Sequence, residues 1–424
     1  MLFNPFTAVA RILICNFTIL VPQQYQPASG YSRFALSFVR TQMHLFEQKL
    51  AIMSGHATET KHPSKIMVVG DSMSHGRDGD FTWRYRLWEW LNEENLNFEF
   101  VGPCNSTFKP SESQISSPSL LATEQSNEES PEACKFMDNG GYADGVNFES
   151  QHFSVWGQQT GQCAEAIRQQ VAAYEPDLLL VMLGFNDMGW GVRGPEDTIK
   201  VMKELLDNAR SASPRLKFAV ASVPQRTPME GTKHLAKMVD TYNKYLEPSI
   251  HDWDNRDSPV RLARIREIYD CFDGSYDGLH PNALGELQIA RAFSQTLVSE
   301  FGIGTKELVI PQKVPERPTP VPTNVTAVAQ QHTIIVTWDY VYGALGYDVR
   351  CRYIKTSEWE IWRKDKNRHD TMGVEDGVEY QYQVRTNNGL MRGKDVLSEW
   401  SPVVSVVART AVTLEAGGEN SPEL

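Results

Sequence analysis

Five short apolar runs between residues 66 and 265 constrain this chain more than any other feature. They are Ile66–Val69, Phe98–Val101, Leu178–Leu183, Phe218–Val223 and Val260–Ile265, bounded by Gly, Pro or charge. Runs of this length are expected for strands buried on both faces of a sheet. Between them the spacing predicts helices. Trp83–Leu91 places Trp83, Leu87, Trp90 and Leu91 on one face, and Gly161–Tyr174 groups Ile167, Val171 and Tyr174. Pro195–Ala209 opens on Pro195-Glu196-Asp197, a favourable first turn, and Asn282–Phe301 follows Pro281. Strands alternating with helices predict an α/β domain: a three-layer α/β/α sandwich with a five-stranded parallel sheet.

After residue 302 the pattern changes. Pro311, Pro315, Pro318, Pro320 and Pro322 stiffen a linker over 303–322. Beyond it the apolar period drops to two. Asn324–Val328, Thr333–Trp338, Gly346–Tyr353, Tyr380–Arg385 and Val403–Ala408 read as strands with no helix between them, which predicts an all-β sandwich. The order Trp338, Gly346–Val349, Tyr380–Arg385, Trp400-Ser401 resembles a fibronectin type III domain, with Trp338 and Tyr382 expected as core anchors. The chain thus divides into an N-terminal extension over 1–62, an α/β domain over 63–302, the linker, a fibronectin III-like domain over 323–410 and a tail over 411–424. The α/β domain carries an insertion at 103–144, rich in Ser, Pro, Glu and Asn. Extension and insertion are expected to be partly disordered, and the tail disordered.

Composition narrows the function. A formal net charge of −12 argues against a nucleic-acid partner, which would call for a basic face. The six cysteines form no Cys-x-x-Cys pair, so no structural zinc is expected. Cys104 and Cys134 bracket the insertion and would staple it in an oxidising compartment; free thiols are the alternative. Met1–Val21 is broken by Asn4, Pro5, Arg11 and Asn16, which is poor for a membrane span. Three readings of the N-terminus stay open: a secretory signal around Ile12–Val21, an acid-poor transit peptide, or an extension before a native start at Met53. Secretion is the reading adopted, with a cytoplasmic location following from a start at Met53. Asn16, Asn105 and Asn324 sit in Asn-x-Thr triplets that fit glycosylation.

Three loops carry groups that ester cleavage requires. Gly70-Asp71-Ser72 ends the first apolar run, so Ser72 sits at the strand edge where ligands bind in open α/β sheets. Asn186, in Gly184-Phe185-Asn186-Asp187, follows the third run and offers a side-chain amide donor. Asp277 and His280 lie three apart before the last helix, a spacing that can bring the carboxylate to one imidazole nitrogen and leave the other free. Each motif alone is an ordinary loop feature. His75 reads as a solvated loop histidine. Trp83, Tyr85, Trp88 and Trp90 read as helix packing, and Asp71 and Asp187 as structural hydrogen-bonders.

Together, in this order, the three motifs resemble those of the SGNH hydrolases, or GDSL esterases, over about residues 63–302. The resemblance implies a flavodoxin-like fold with Ser72 as nucleophile, His280 as base and Asp277 as its orienting group. Ser72, Gly157 and Asn186 would form the oxyanion hole, with Gly161 as the fallback for Gly157. Trp156 and Trp190 are candidates to line the cleft. No metal and no cofactor is implied. The expected partner is a small-molecule or polysaccharide ester, with an acetyl ester on a carbohydrate preferred by analogy and a lipid or general acyl ester as alternative. The fibronectin III-like domain would offer a surface for polysaccharide or protein, and removing the chain after Pro315 is expected to spare small-ester cleavage. A reading of another class is a non-catalytic adhesion protein with a degenerate hydrolase domain.

Overall fold

A computed structural model of the protein describes residues 64–109, 138–353, 358–389 and 396–409. The N-terminal extension, the tail from residue 410 and residues 110–137 of the expected insertion lie outside the described residues.

The first half contains β1 (Ser64–Gly70), α1 (Ser72–His75), α2 (Trp83–Glu93), β2 (Phe98–Phe100), β3 (Thr107–Phe108), β4 (Asp138–Gly140), β5 (Phe153–Ser154) and α3 (Thr160–Tyr174). Then come β6 (Leu178–Met182), α4 (Phe185–Gly189), α5 (Pro195–Ala212), β7 (Lys217–Ala221), α6 (Lys233–Trp253), β8 (Val260–Ala263), α7 (Ile265–Ile268) and α8 (Ala283–Phe301). Each predicted apolar run forms a strand. The strands order as β2-β1-β6-β7-β8, all parallel. Because β1 and β6 are buried on both faces, their continuous Val, Ile, Leu and Met runs are sheltered by helices above and below. On one side α2 packs on α8, with Trp83 stacked on Phe293 at 4.7 Å. On the other, α3, α5 and α6 pack in succession. The sequence reading assigns no helix over α6, which carries Pro248 inside it. Its buried stripe of Leu235, Val239, Tyr242, Leu246 and Ile250 nonetheless recurs about once per turn, and tertiary packing holds the helix through the proline.

The short β5 fixes the position of the loop after it. It pairs with β1 at Val69↔Phe153 and Gly70↔Ser154, on the edge that β2 covers only from Ser64 to Ile66. The chain after β5 is thereby placed beside the end of β1, where Val155 donates its N–H to the Gly70 carbonyl at 3.2 Å.

The second half is all β: β9 (Thr326–Gln330), β10 (Thr333–Thr337), β11 (Tyr347–Tyr353), β12 (Glu360–Lys364), β13 (Arg368–Met372), β14 (Glu379–Thr386) and β15 (Val404–Val407). They form antiparallel sheets β13-β10-β9 and β12-β11-β14-β15. Ile334, Val336, Trp338, Tyr347, Tyr382 and Val384 are buried in a shared core. Trp338 meets Tyr347 edge-on at 5.2 Å. The edge strands β12 and β13 lack an apolar signature in the sequence because charged and polar residues dominate them, Glu360, Arg363 and Lys364 in one and Arg368, His369, Asp370 and Thr371 in the other, as suits a sheet edge.

The β-sandwich packs directly on the loop after α1. Arg317, from the proline-rich stretch, forms an ion pair with Asp80 and donates to the carbonyls of Asp78, at 3.0 Å, and Gly343. Tyr340 donates to Asp78 Oδ2 at 3.0 Å, and Tyr342 to the Tyr142 carbonyl at 2.6 Å. Gly79, at φ +82°, lies so close that a Cβ there would sit 2.6 Å from the Gly343 Cα.

Candidate active site

The end of β1 shapes the first part of the site. Asp71 caps α1, its carboxylate accepting the Met73 N–H at 3.0 Å, and Ser72 opens that helix. Burial pushes Asp71 up to about 7 against the Met73 hydrogen bond and the nearby His280. The loop before α8 supplies the second part. Gly278, at φ +88°, allows a tight turn. Asp277 Oδ1 there accepts N–H groups from Leu279 at 3.0 Å and His280 at 2.7 Å. Asn282 caps α8 through the N–H groups of Leu284 and Gly285.

These two pieces meet in a hydrogen-bonded chain. His280 Nδ1 lies 2.6 Å from Asp277 Oδ2, and His280 Nε2 lies 2.9 Å from Ser72 Oγ. A carboxylate accepts only, so Nδ1 carries the proton and Nε2 offers its lone pair to the serine hydroxyl. Burial works against the Asp277 carboxylate, but His280 and the two backbone N–H groups outweigh it and hold its pKa below the usual range.

Asn186 lies in α4, after Gly184 at φ +110°. It donates one Nδ2 hydrogen to the Gln158 carbonyl at 3.0 Å, which leaves its second amide hydrogen for another acceptor. Asp187 accepts from Thr160 N and Oγ1, both at 2.9 Å, and pairs with Arg193 at 3.0 Å. The α4 turn is thus fastened to the loop holding Gly157. Gly157 adopts φ +79° beneath the Trp190 indole, where a Cβ would lie 2.8 Å from Trp190 Cη2. Gly161 instead lies within α3 against the Arg193 guanidinium. Trp190 is 41% exposed. Trp156 stacks on His280 with ring centroids 4.7 Å apart, and Tyr276 stacks on it at 5.8 Å.

One expectation is corrected here. His75 is not solvated: it is fully buried, and its Nδ1 accepts the Trp156 N–H at 3.1 Å. The turn of α1 folds it inward against the chain after β5. The ends of the insertion are likewise part of the packed domain. β3 pairs with β4, and Phe108 stacks on Trp156 at 4.7 Å. Cys104 is disulfide-bonded, while Cys134 lies outside the described residues. Phe108, Tyr276 and His75 had no sequence signal of their own. In the sequence, His75 is marked only by lying near Ser72.

A family model described as GDSL-like Lipase/Acylhydrolase matches residues 66–293. A comparison with curated proteins found no match. Among solved structures, a carbohydrate esterase family 3 protein from Talaromyces cellulolyticus is 22% identical, covering 55% of this chain and 96% of that chain at a TM-score of 0.41. The Clostridium thermocellum family 3 carbohydrate esterase is 20% identical, covering 56% and 96% at 0.41. The fn3 domain of human collagen alpha-1(XX) chain is 21% identical, covering 24% and 96% at 0.19.

Proposed function

The chain belongs to the GDSL-like lipase/acylhydrolase family and is a carboxylic ester hydrolase, and we propose that it works as a serine esterase through Ser72, His280 and Asp277. The observation that carries this reading is the hydrogen-bonded chain from Asp277 Oδ2 through His280 to Ser72 Oγ. In that arrangement His280 Nε2 takes the hydroxyl proton as Oγ attacks the ester carbonyl carbon. The charge that develops on the carbonyl oxygen is received by the Ser72 and Gly157 N–H groups and by the Asn186 amide. His280 then hands its proton to the leaving alkoxide, and the alcohol departs. Water attacks the acyl-enzyme with His280 again as base, releasing the acid and restoring Ser72. Asp277, ionised and fixed by two backbone N–H groups, stabilises the imidazolium in both halves.

The substrate proposed is a short acyl ester, an acetyl group above all, on a carbohydrate. The close cover of Trp190 over Gly157 supports a small acyl group on that side. The partly exposed Trp190 indole offers an apolar face of the kind on which a sugar ring packs. Among the described residues, no helix is long and apolar enough to cross a membrane. The Cys104 disulfide supports an oxidising compartment, and with it secretion.

The test is turnover of a chromogenic acetyl ester by wild type and by Ser72→Ala, followed by a panel of acetylated sugars and longer acyl esters. Equal turnover by both proteins would end the serine-esterase reading. Preference for long acyl chains over acetylated sugars would end the substrate reading.

A further inference from the structure

His75, Asp138 and His152 converge behind the site, their polar atoms within 4.8 Å of one another. Residues of these types could hold a cation, but their hydrogen bonds point elsewhere. His75 Nδ1 accepts the Trp156 N–H, and His152 Nδ1 accepts the Ser154 N–H, both at 3.1 Å. A neutral imidazole that accepts at Nδ1 carries its proton on Nε2. A metal-binding histidine does the reverse, donating from the nitrogen that faces away from the metal. Here the protonated Nε2 of His152 faces the Ser106 carbonyl at 3.0 Å, and that of His75 faces Asp138 Oδ1 at 3.4 Å. Asp138 also accepts the N–H groups of Asn105 and Ser106, both at 2.7 Å. Arg84 supplies the balancing charge, donating to the carbonyls of Ser74, His75, Ser106 and Ser150. The cluster is a fastening of several chain segments.

We propose that His75 is a positioning residue that ties the turn bearing Ser72 to Trp156, and through Trp156 holds the base in line with the nucleophile. The contacts close a circuit. Ser72 meets His280 at 2.9 Å, His280 stacks on Trp156, and the Trp156 N–H bonds His75 Nδ1. His75 returns to Ser72 through α1, where Gly76 N donates to the Ser72 carbonyl at 3.0 Å. The proposal rests on the reading of Ser72 as nucleophile and His280 as base.

The experiment compares His75→Asn, His75→Gln and His75→Leu by steady-state kinetics on a chromogenic acetyl ester, with melting curves to check folding. An Asn side chain presents its oxygen near the position of Nδ1, whereas Gln places its amide near that of Nε2. The expected result is a kcat reduced about 10-fold or more in His75→Leu and His75→Gln with KM little changed, and largely restored in His75→Asn. In a Trp156→Leu background the same His75 substitutions should have little further effect on kcat. Equal kcat in the Asn and Gln variants, or full additivity with Trp156→Leu, would overturn the proposal. The contrast between Asn and Gln keeps the test decisive even where His75→Leu fails to fold. Ser72→Ala run alongside separates the two claims. If it is inactive while every His75 variant matches wild type, only the positioning role falls. If it is as active as wild type, the nucleophile reading itself falls.

Discussion

Trp156 lies face to face with His280, ring centroids 4.7 Å apart and planes 17° from parallel. In the proposed mechanism His280 takes the Ser72 proton and becomes a cation against an indole face. Such a contact is worth about 0.5–2 kcal/mol. Trp156→Leu is therefore expected to lower kcat roughly 2- to 30-fold, with Trp156→Phe between it and wild type. Steady-state kinetics on a chromogenic acetyl ester would check this, and an unchanged kcat in Trp156→Leu would remove the stacking from the mechanism.

Asn186 has one amide hydrogen committed to the Gln158 carbonyl, so its orientation is set before any substrate arrives. A donor preorganised in this way acts on the charge that develops during reaction, more than on the bound ester. Asn186→Ala should lower kcat by about 10²- to 10³-fold with a small change in KM. A KM effect with unaltered kcat would assign Asn186 to substrate binding.

Asp277 Oδ2 accepts from His280 Nδ1 at 2.6 Å. An asparagine there would present an amide donor or a weaker acceptor to the same nitrogen and favour the wrong tautomer. Asp277→Asn should reduce kcat by up to about 10⁴-fold while leaving the fold intact. A loss of only a few-fold would mean that Ser72 and His280 work as a dyad.

The strands of the α/β sheet were legible because burial on both faces leaves mostly apolar residues in them: Leu178–Met182 holds nothing else, and Glu99 and Arg261 interrupt only the edge strands β2 and β8. The loops bearing Ser72, Asn186, Asp277 and His280 were legible because each ends a strand or opens a helix, and such sites need Gly and small polar residues. What was hidden depended on contacts distant in sequence. Asp138 lies 63 positions after His75, and nothing local marks it as a hydrogen-bond partner. Phe108 sits at the margin of a polar stretch, yet β3–β4 pairing brings it under Trp156. The edge strands β12 and β13 lacked the alternating apolar pattern of their neighbours, whereas α6 carries a helical stripe with Pro248 inside it.

The docking of the β-sandwich revises one expectation, that removing the chain after Pro315 would spare small-ester cleavage. Asp80 is buried, and Arg317 is its ion-pair partner. Breaking such a pair from one side costs about 3–5 kcal/mol, because the remaining charge stays buried. Asp80 also accepts the Arg77 N–H at 2.6 Å, two residues past α1, so the disturbance reaches the turn that bears Ser72, the proposed nucleophile. Both Arg317→Ala and truncation after Pro315 should lower the melting temperature by several degrees and reduce esterase turnover. A truncated protein with wild-type melting and wild-type kcat would show that the β-sandwich leaves the site untouched.

The buried histidines behind the site make stability depend on pH. Burial, with the Arg84 guanidinium nearby, pulls His152 down to about 3, and burial pulls His75 down as well. In the unfolded chain a histidine takes up its proton near pH ~6.5. From about pH 6.5 towards pH 3 the unfolded chain therefore holds more protons than the folded one. Stability falls with falling pH across that window, by up to about 1.4 kcal/mol per pH unit from His152, with His75 adding in the same direction, and shows no slope from them above it. His152→Gln keeps a donor for the Ser106 carbonyl and cannot titrate. It should be less stable than wild type at pH 7, having lost the Nδ1 acceptor for Ser154 N–H, but its deficit should shrink steadily as the pH is lowered to 4. Thermal melts of both proteins across that range would check this, and parallel curves would show that the acid sensitivity lies elsewhere.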